Sequence, residues 1–410
     1  MPRYIVHFTF IFLTITALSG VWMRVFPFYP DFTIPYSNIL HGHSHLAILG
    51  WAFLGVFMVF LVHYWETFKH QKEAITIAIT LFIVTILMFV AFLYQGYASF
   101  SIVLSTMHIF VEYWAASFIY RQVKSQLRIP RVAGLFIKGG LISLIISSFG
   151  PYGIAYISAS GMKGSPLYDM AIYFYLHFQY NGWLFLFLIG LFIIVVRTKN
   201  IILPESTLKI GFWVYFIALF PGYFLSILWA EELGLGAEVI AGVGGIGQWI
   251  GVICVISAYF KSKKDLETTY SGFTMGTLTV TFFLLFLKGT MELGLLIPSL
   301  VPLIYDSRNI IIGYLHLTLL GFISLFILTL YLMKDLLATN KQTVYGGIIF
   351  FTGFLLNALL LFGQGLTEWL HMTAVPFYIE GLFVASLLLL LGIMILWVSF
   401  WRSSERKRDK

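Results

Sequence analysis

The chain has 410 residues, of which 60% are apolar, 18% aromatic and only 10% charged, with a mean hydropathy of +0.91 and a formal charge of +7. A water-soluble surface carries about 25% charged residues, so a soluble enzyme, a nucleic-acid binder and a disordered scaffold are all excluded. The single cysteine, Cys254, lies in an apolar run, which leaves no intramolecular disulfide and no thiolate metal cluster.

Crossing a bilayer takes about 20 apolar residues. Breaks at charged or turn-rich stretches predict twelve such spans, at 4–28, 38–64, 74–95, 99–121, 132–158, 168–197, 208–230, 235–260, 272–298, 309–333, 342–364 and 376–401. The first has Arg3 before it but no small-residue cleavage site, so it reads as a helix rather than a signal peptide. Of the 25 Lys and Arg residues, 20 fall in the loops of one side; Arg24, Lys163 and Arg308 face the other, and Lys138 and Lys288 lie within spans. The positive-inside rule then places both termini in the cytoplasm. The charge of +7 follows from this bias without any anionic partner. The expectation is an all-α integral membrane protein of twelve transmembrane helices, one polytopic domain in a bacterial-type inner (plasma) membrane, with 402–410 a basic cytoplasmic tail.

Three even-numbered spans share a local pattern: His45-L-A-I-L-G-Trp51 in span 2, His177-F-Q-Y-N-G-Trp183 in span 6 and His316-L-T-L-L-G-Phe322 in span 10. Their histidines are 132 and 139 residues apart, four spans each time. This predicts three pseudo-symmetric four-helix units, at 1–131, 132–270 and 271–401. At about 1.5 Å per residue, His45, His108, His177 and His316 share one layer towards the outer face. His41 and His43 lie slightly above it, and His371 just before span 12.

Histidine inside a bilayer is costly and usually functional, although one alone also serves to bond neighbouring helices. Neutral imidazole is the common axial ligand of haem iron and a frequent copper ligand. Successive helical residues turn by about 100°, so His43 and His45 point to opposite faces, whereas His41 and His45 return to the same one. Gly50, Gly55, Gly182 and Gly321 leave room for either a flat macrocycle or a close neighbouring helix. Glu112 follows His108 by four residues, which suits it to orient that imidazole or to pass protons. Lys288 and Glu292 are also four apart, read either as an ion pair or as part of a proton route that includes Glu231, Glu232 and Glu238.

With twelve spans, a four-span repeat and outer-side histidines, the chain resembles the catalytic subunit of the haem–copper oxidase superfamily. The run His43-S-His45-L-A-I-L-G-Trp51 is similar to the H-x-H-x-x-x-L-G-W segment of its C-type oxidase and nitric oxide reductase branches. Twelve-span haem- and copper-containing proteins of the nitric oxide response are a neighbouring likeness. The resemblance implies His45 (or His43) with His316 as a bis-histidine haem pair, and His177 as the span-6 ligand of a second metal site. It departs from the family in three places: span 7 has no histidine, span 10 carries His316 flanked by Tyr314 and Thr318 rather than an H-x-H pair, and His177 is followed by Phe178, Gln179 and Tyr180 rather than the tyrosine-linked copper histidine pattern. His108, His41 and His371 are the remaining candidates for a metal.

The function so implied is a haem-binding membrane redox protein, an oxidoreductase that handles nitric oxide or transfers electrons without the usual complete copper site. Haem is its expected cofactor and copper a second one. A quinol or a cytochrome is the expected electron donor, and a small gas the expected ligand. Two other classes remain open at this point: a secondary transporter with histidines at its substrate or metal site, and a non-catalytic assembly or sensing subunit.

Overall fold

The computed structural model of the protein describes residues 1–30, 33–125, 129–230 and 233–405. Among the described residues, twelve helices are long and apolar enough to cross a membrane: Tyr4–Val25, Tyr36–Thr67, Gln71–Gln95, Ser99–Lys124, Arg131–Ala159, Pro166–Arg197, Glu205–Ile227, Gly234–Lys261, Gly272–Leu296, Arg308–Met333, Lys341–Trp369 and Tyr378–Ser403. Among the described residues there is no strand. These helices are the predicted spans with small shifts at their ends. Span 11 reaches Trp369 because its polar end remains helical, with the Gln364 amide donating to Glu368 at 3.3 Å. Span 7 begins at Glu205, directly after Pro204, where an acidic side chain meets the positive helix end. Glu231 and Glu232, proposed for a proton route, lie outside the described residues, as do Arg128 and the last five residues of the basic tail.

The helices group into two compact units, one of residues 1–127 with 319–410, the other of residues 128–318. One division falls after span 4. The second falls inside span 10 rather than after span 8. The reason is that spans 11 and 12 pair along their length and span 12 packs on span 1, so the last two spans join the first four.

In the unit of 1–127 and 319–410, spans 11 and 12 meet through glycine. A Cβ on Gly353 would stand 2.8 Å from the Leu389 nitrogen, and one on Gly392 2.5 Å from the Phe350 nitrogen. Lipid tails are as apolar as leucine, so helices in a bilayer gain most from this close backbone contact. Span 2 is clamped to the second half of span 10 by the Trp51 indole, which donates to Ser324 Oγ at 2.7 Å.

In the unit of 128–318, the same device joins spans 7 and 8, where a Cβ on Gly244 would lie 2.1 Å from the Gly222 nitrogen. Span 6 is the most enclosed helix, buried throughout its most apolar 18-residue stretch.

All three histidine motifs are π-helical, at Leu46–Ala52, His177–Leu184 and Leu317–Ser324. Such wide turns are rare and occur often at functional sites. Their recurrence at one motif position, four spans apart, is the structural counterpart of the sequence repeat. The motif glycines lie against neighbouring side chains. Gly50 faces Phe12 and Thr85, Gly182 faces Ser143, and Gly321 faces Phe354; Gly55, farther along span 2, meets Ile327. Of the two uses open to these glycines, the structure shows helix packing.

Candidate functional site

The motif histidines differ in how their ring nitrogens are used. His45 donates its Nδ1–H to the His41 carbonyl at 2.9 Å, one helical turn back, and its Nε2 meets the Tyr97 hydroxyl at 3.2 Å. His316 repeats the first contact, with Nδ1 2.8 Å from the Ile312 carbonyl. A backbone carbonyl only accepts, so in both residues the proton is on Nδ1 and the lone pair on Nε2. His43 points to span 1, where Nδ1 lies 3.0 Å from the Thr16 carbonyl and 3.0 Å from Ser19 Oγ.

His177 has the opposite tautomer. Its Nε2 donates to the Leu219 carbonyl at 2.8 Å, and Asn181 Nδ2 donates to its Nδ1 at 3.4 Å. The carbonyl is released locally: beyond Pro221 span 7 tightens to a 3-10 helix, and the Tyr223 N–H turns to Phe220 instead of Leu219. Both ring nitrogens of His177 thus have protein partners, and its lone pair is on Nδ1, facing Asn181.

His108 is fully buried, with Nδ1 3.1 Å from Glu112 Oε1. The two are at ion-pair distance without hydrogen-bonding angles, and neither ring nitrogen has a hydrogen-bond partner. His41 and His108 are electrostatic neighbours of His45, and the His41 ring meets Tyr97 at 4.6 Å. His371 is an exposed turn residue beyond span 11, with φ 51°. Among the described residues, no three of His, Cys, Asp or Glu converge in an arrangement that holds a metal ion. The candidates His177, His108, His41 and His371 are therefore not assembled into one copper centre.

A different constellation surrounds His177. Lys288 and Glu292 make the ion pair that their spacing predicts, Nζ to Oε1 at 2.8 Å. Lys288 also donates to Asn181 Oδ1, and Glu292 Oε1 accepts from the Tyr314 hydroxyl and, at 3.2 Å, from Asn181 Nδ2. The Lys288 ammonium lies 5.6 Å from the Tyr180 ring centre and 5.8 Å from that of Tyr314. These partners offset the cost of burying a charge in a bilayer. His177, Asn181, Glu292 and Tyr314 line a cavity of about 600 Å³, within the unit of 128–318. Exposed Asp169 and Asp306, at the starts of span 6 and span 10, also border it, so it reaches the ends of these spans away from the basic loops.

Sequence reasoning singled out His177, Lys288 and Glu292 but not Asn181, Tyr314 or the cavity. The signal was in the repeat. Where span 2 has Ala47 and Leu49, and span 10 has Thr318 and Leu320, span 6 has Gln179 and Asn181. Two amides in one copy of an otherwise mostly apolar motif mark a place where side chains need partners. No protein-family model matches the chain, and no curated protein matches it.

Proposed function

We propose that the chain is a haem-binding redox protein of the membrane, in which His45 and His316 each offer an imidazole as an axial ligand to haem iron. The observation that carries this is the repeated setting of the two histidines. Each sits at the last residue before a π-helical segment, and each donates Nδ1–H to a carbonyl four residues back. That bond fixes the neutral tautomer and aims the lone pair through Nε2, the state in which imidazole ligates iron. The fit is read for each histidine within its own unit. Tyr97 holds the His45 lone pair through a hydroxyl on a part-exposed side chain, which yields it to a stronger partner. A bound haem supplies reversible one-electron transfer. The protein's share is to hold two neutral imidazoles in an apolar surrounding and to exclude water from them. No copper step is assigned, since no three of His, Cys, Asp or Glu converge among the described residues. With both termini cytoplasmic, the ligand layer lies towards the outer face, and electrons arrive from a quinol or a separate cytochrome; nitric oxide is the small ligand the reading favours.

The test is a dithionite-reduced minus oxidised visible spectrum of the detergent-purified protein. Sharp low-spin bands are expected in the wild type and in His7→Ala, and their loss in His45→Ala and in His316→Ala. Unchanged bands in either ligand variant, or a colourless protein after expression with ample haem, reject the assignment.

A further inference from the structure

The mouth of the cavity in the unit of 128–318 has a composition that the haem reading does not use. Tyr173, Trp229 and Tyr305 all border it and touch one another, with ring centres 6.1 Å apart for Tyr173 and Trp229, 5.8 Å for Tyr173 and Tyr305, and 6.5 Å for Trp229 and Tyr305. Two of the rings are pinned by their polar ends. The Tyr305 hydroxyl donates to the Leu225 carbonyl at 3.0 Å, and the Trp229 indole donates to the Ser226 carbonyl at 3.2 Å. Asp169 and Asp306 stand at the same mouth, and among the described residues no Lys or Arg lines the cavity. Glu292 has its Lys288 partner, so the two aspartates set the field at the opening. Farther along the wall Gln248 is only 5% exposed, and its side-chain nitrogen has no hydrogen-bond partner.

We infer that this cavity binds a small organic ammonium ion that carries a hydrogen-bond acceptor. Fixed aromatic rings attract a cation through their quadrupoles, most strongly for alkylated ammonium groups that lose little hydration. Carboxylates at the opening raise the local concentration of cations and repel anions. The buried Gln248 amide, which neighbours the Tyr215 hydroxyl, supplies the donor for the acceptor group. A bare metal ion does not suit the site, because the acidic groups do not converge.

The test uses the full chain in detergent, with choline as the probe and 3,3-dimethyl-1-butanol, its uncharged isostere, as the control. Isothermal titration calorimetry is expected to show saturable choline binding and at least roughly tenfold weaker binding of the isostere, the scale of a desolvated cation–aromatic contact. Trp229→Leu is expected to weaken choline roughly tenfold, while Trp229→Phe, which keeps a ring, retains most of the affinity. Asp306→Asn, at an exposed position that leaves folding intact, is expected to weaken choline and leave the isostere unchanged. Absence of saturable choline binding by the monodisperse wild type overturns the inference, and so does equal affinity for choline and the isostere. The heats are read at this cavity whether or not the protein carries haem, so failure here leaves the spectral assignment standing, and the reverse also holds.

Discussion

In span 2 the motif histidine gives its Nδ1 proton to its own helix and turns Nε2 towards Tyr97; in span 6 His177 gives its Nε2 proton to span 7 and receives Asn181 at Nδ1. The backbone is π-helical in both. The difference comes from the residue four places on, Leu49 in one and Asn181 in the other, and from whether an opposing helix offers a carbonyl. One backbone repeat thus hosts two roles. A histidine with an apolar residue one turn on keeps a lone pair for a ligand, and one with an amide there becomes part of the polar network.

The largest effect that sharpens this comparison is expected at Lys288. Replacing it with Met leaves Glu292 without its cation and should cost about 3 kcal/mol, at the low end for a broken buried pair because Glu292 borders a cavity. A melting temperature in detergent that falls by several degrees supports the network; an unchanged one rejects it. The loss should be confined to the unit of 128–318, as protection of its amides in hydrogen exchange would report.

Next come the motif glycines. A Cβ on Gly182 would stand 2.5 Å from that of Ser143, whereas one on Gly50 meets its nearest side-chain atoms at 3.1 Å. Gly182→Ala is expected to destabilise by about 2 kcal/mol through overpacking, and Gly50→Ala by clearly less. Equal melting shifts for the two variants would show that span 6 is no more tightly packed at its motif than span 2.

The smallest effect is expected for Asn181→Leu, which gives span 6 the residue found in the other two copies. His177, Lys288 and Glu292 each lose one partner while the ion pair itself stays, at a cost of about 1 kcal/mol. A variant more stable than the wild type would mean that the amide is kept for binding rather than for folding, and choline titration of the same variant separates the two.

Much of the architecture was legible in the sequence because a bilayer accepts few solutions. Every buried backbone group must be bonded within its own helix, so long apolar runs separated by basic loops convert directly into spans. The His-x-x-x-x-Gly-aromatic motif was legible too, since its spacing recurs once per four helices. The motif's π-helical geometry was not legible, because an i to i+5 turn has no composition of its own. Nor could one sequence tell whether Gly182 admits a cofactor or a neighbouring helix; Ser143, almost 40 residues away, decides that.

The sequence by itself determined the number of spans, their ends to within a few residues, the Lys288–Glu292 spacing and the placement of the histidines, all properties of single helices. Tertiary structure alone decided which nitrogen each histidine presents, that Asn181 and Tyr314 join the ion pair, and that Tyr173, Trp229 and Tyr305 surround one opening. These depend on partners from other helices, such as the Leu219 carbonyl, left open where the Tyr223 N–H turns to Phe220, and no periodicity within one helix records what its neighbours offer.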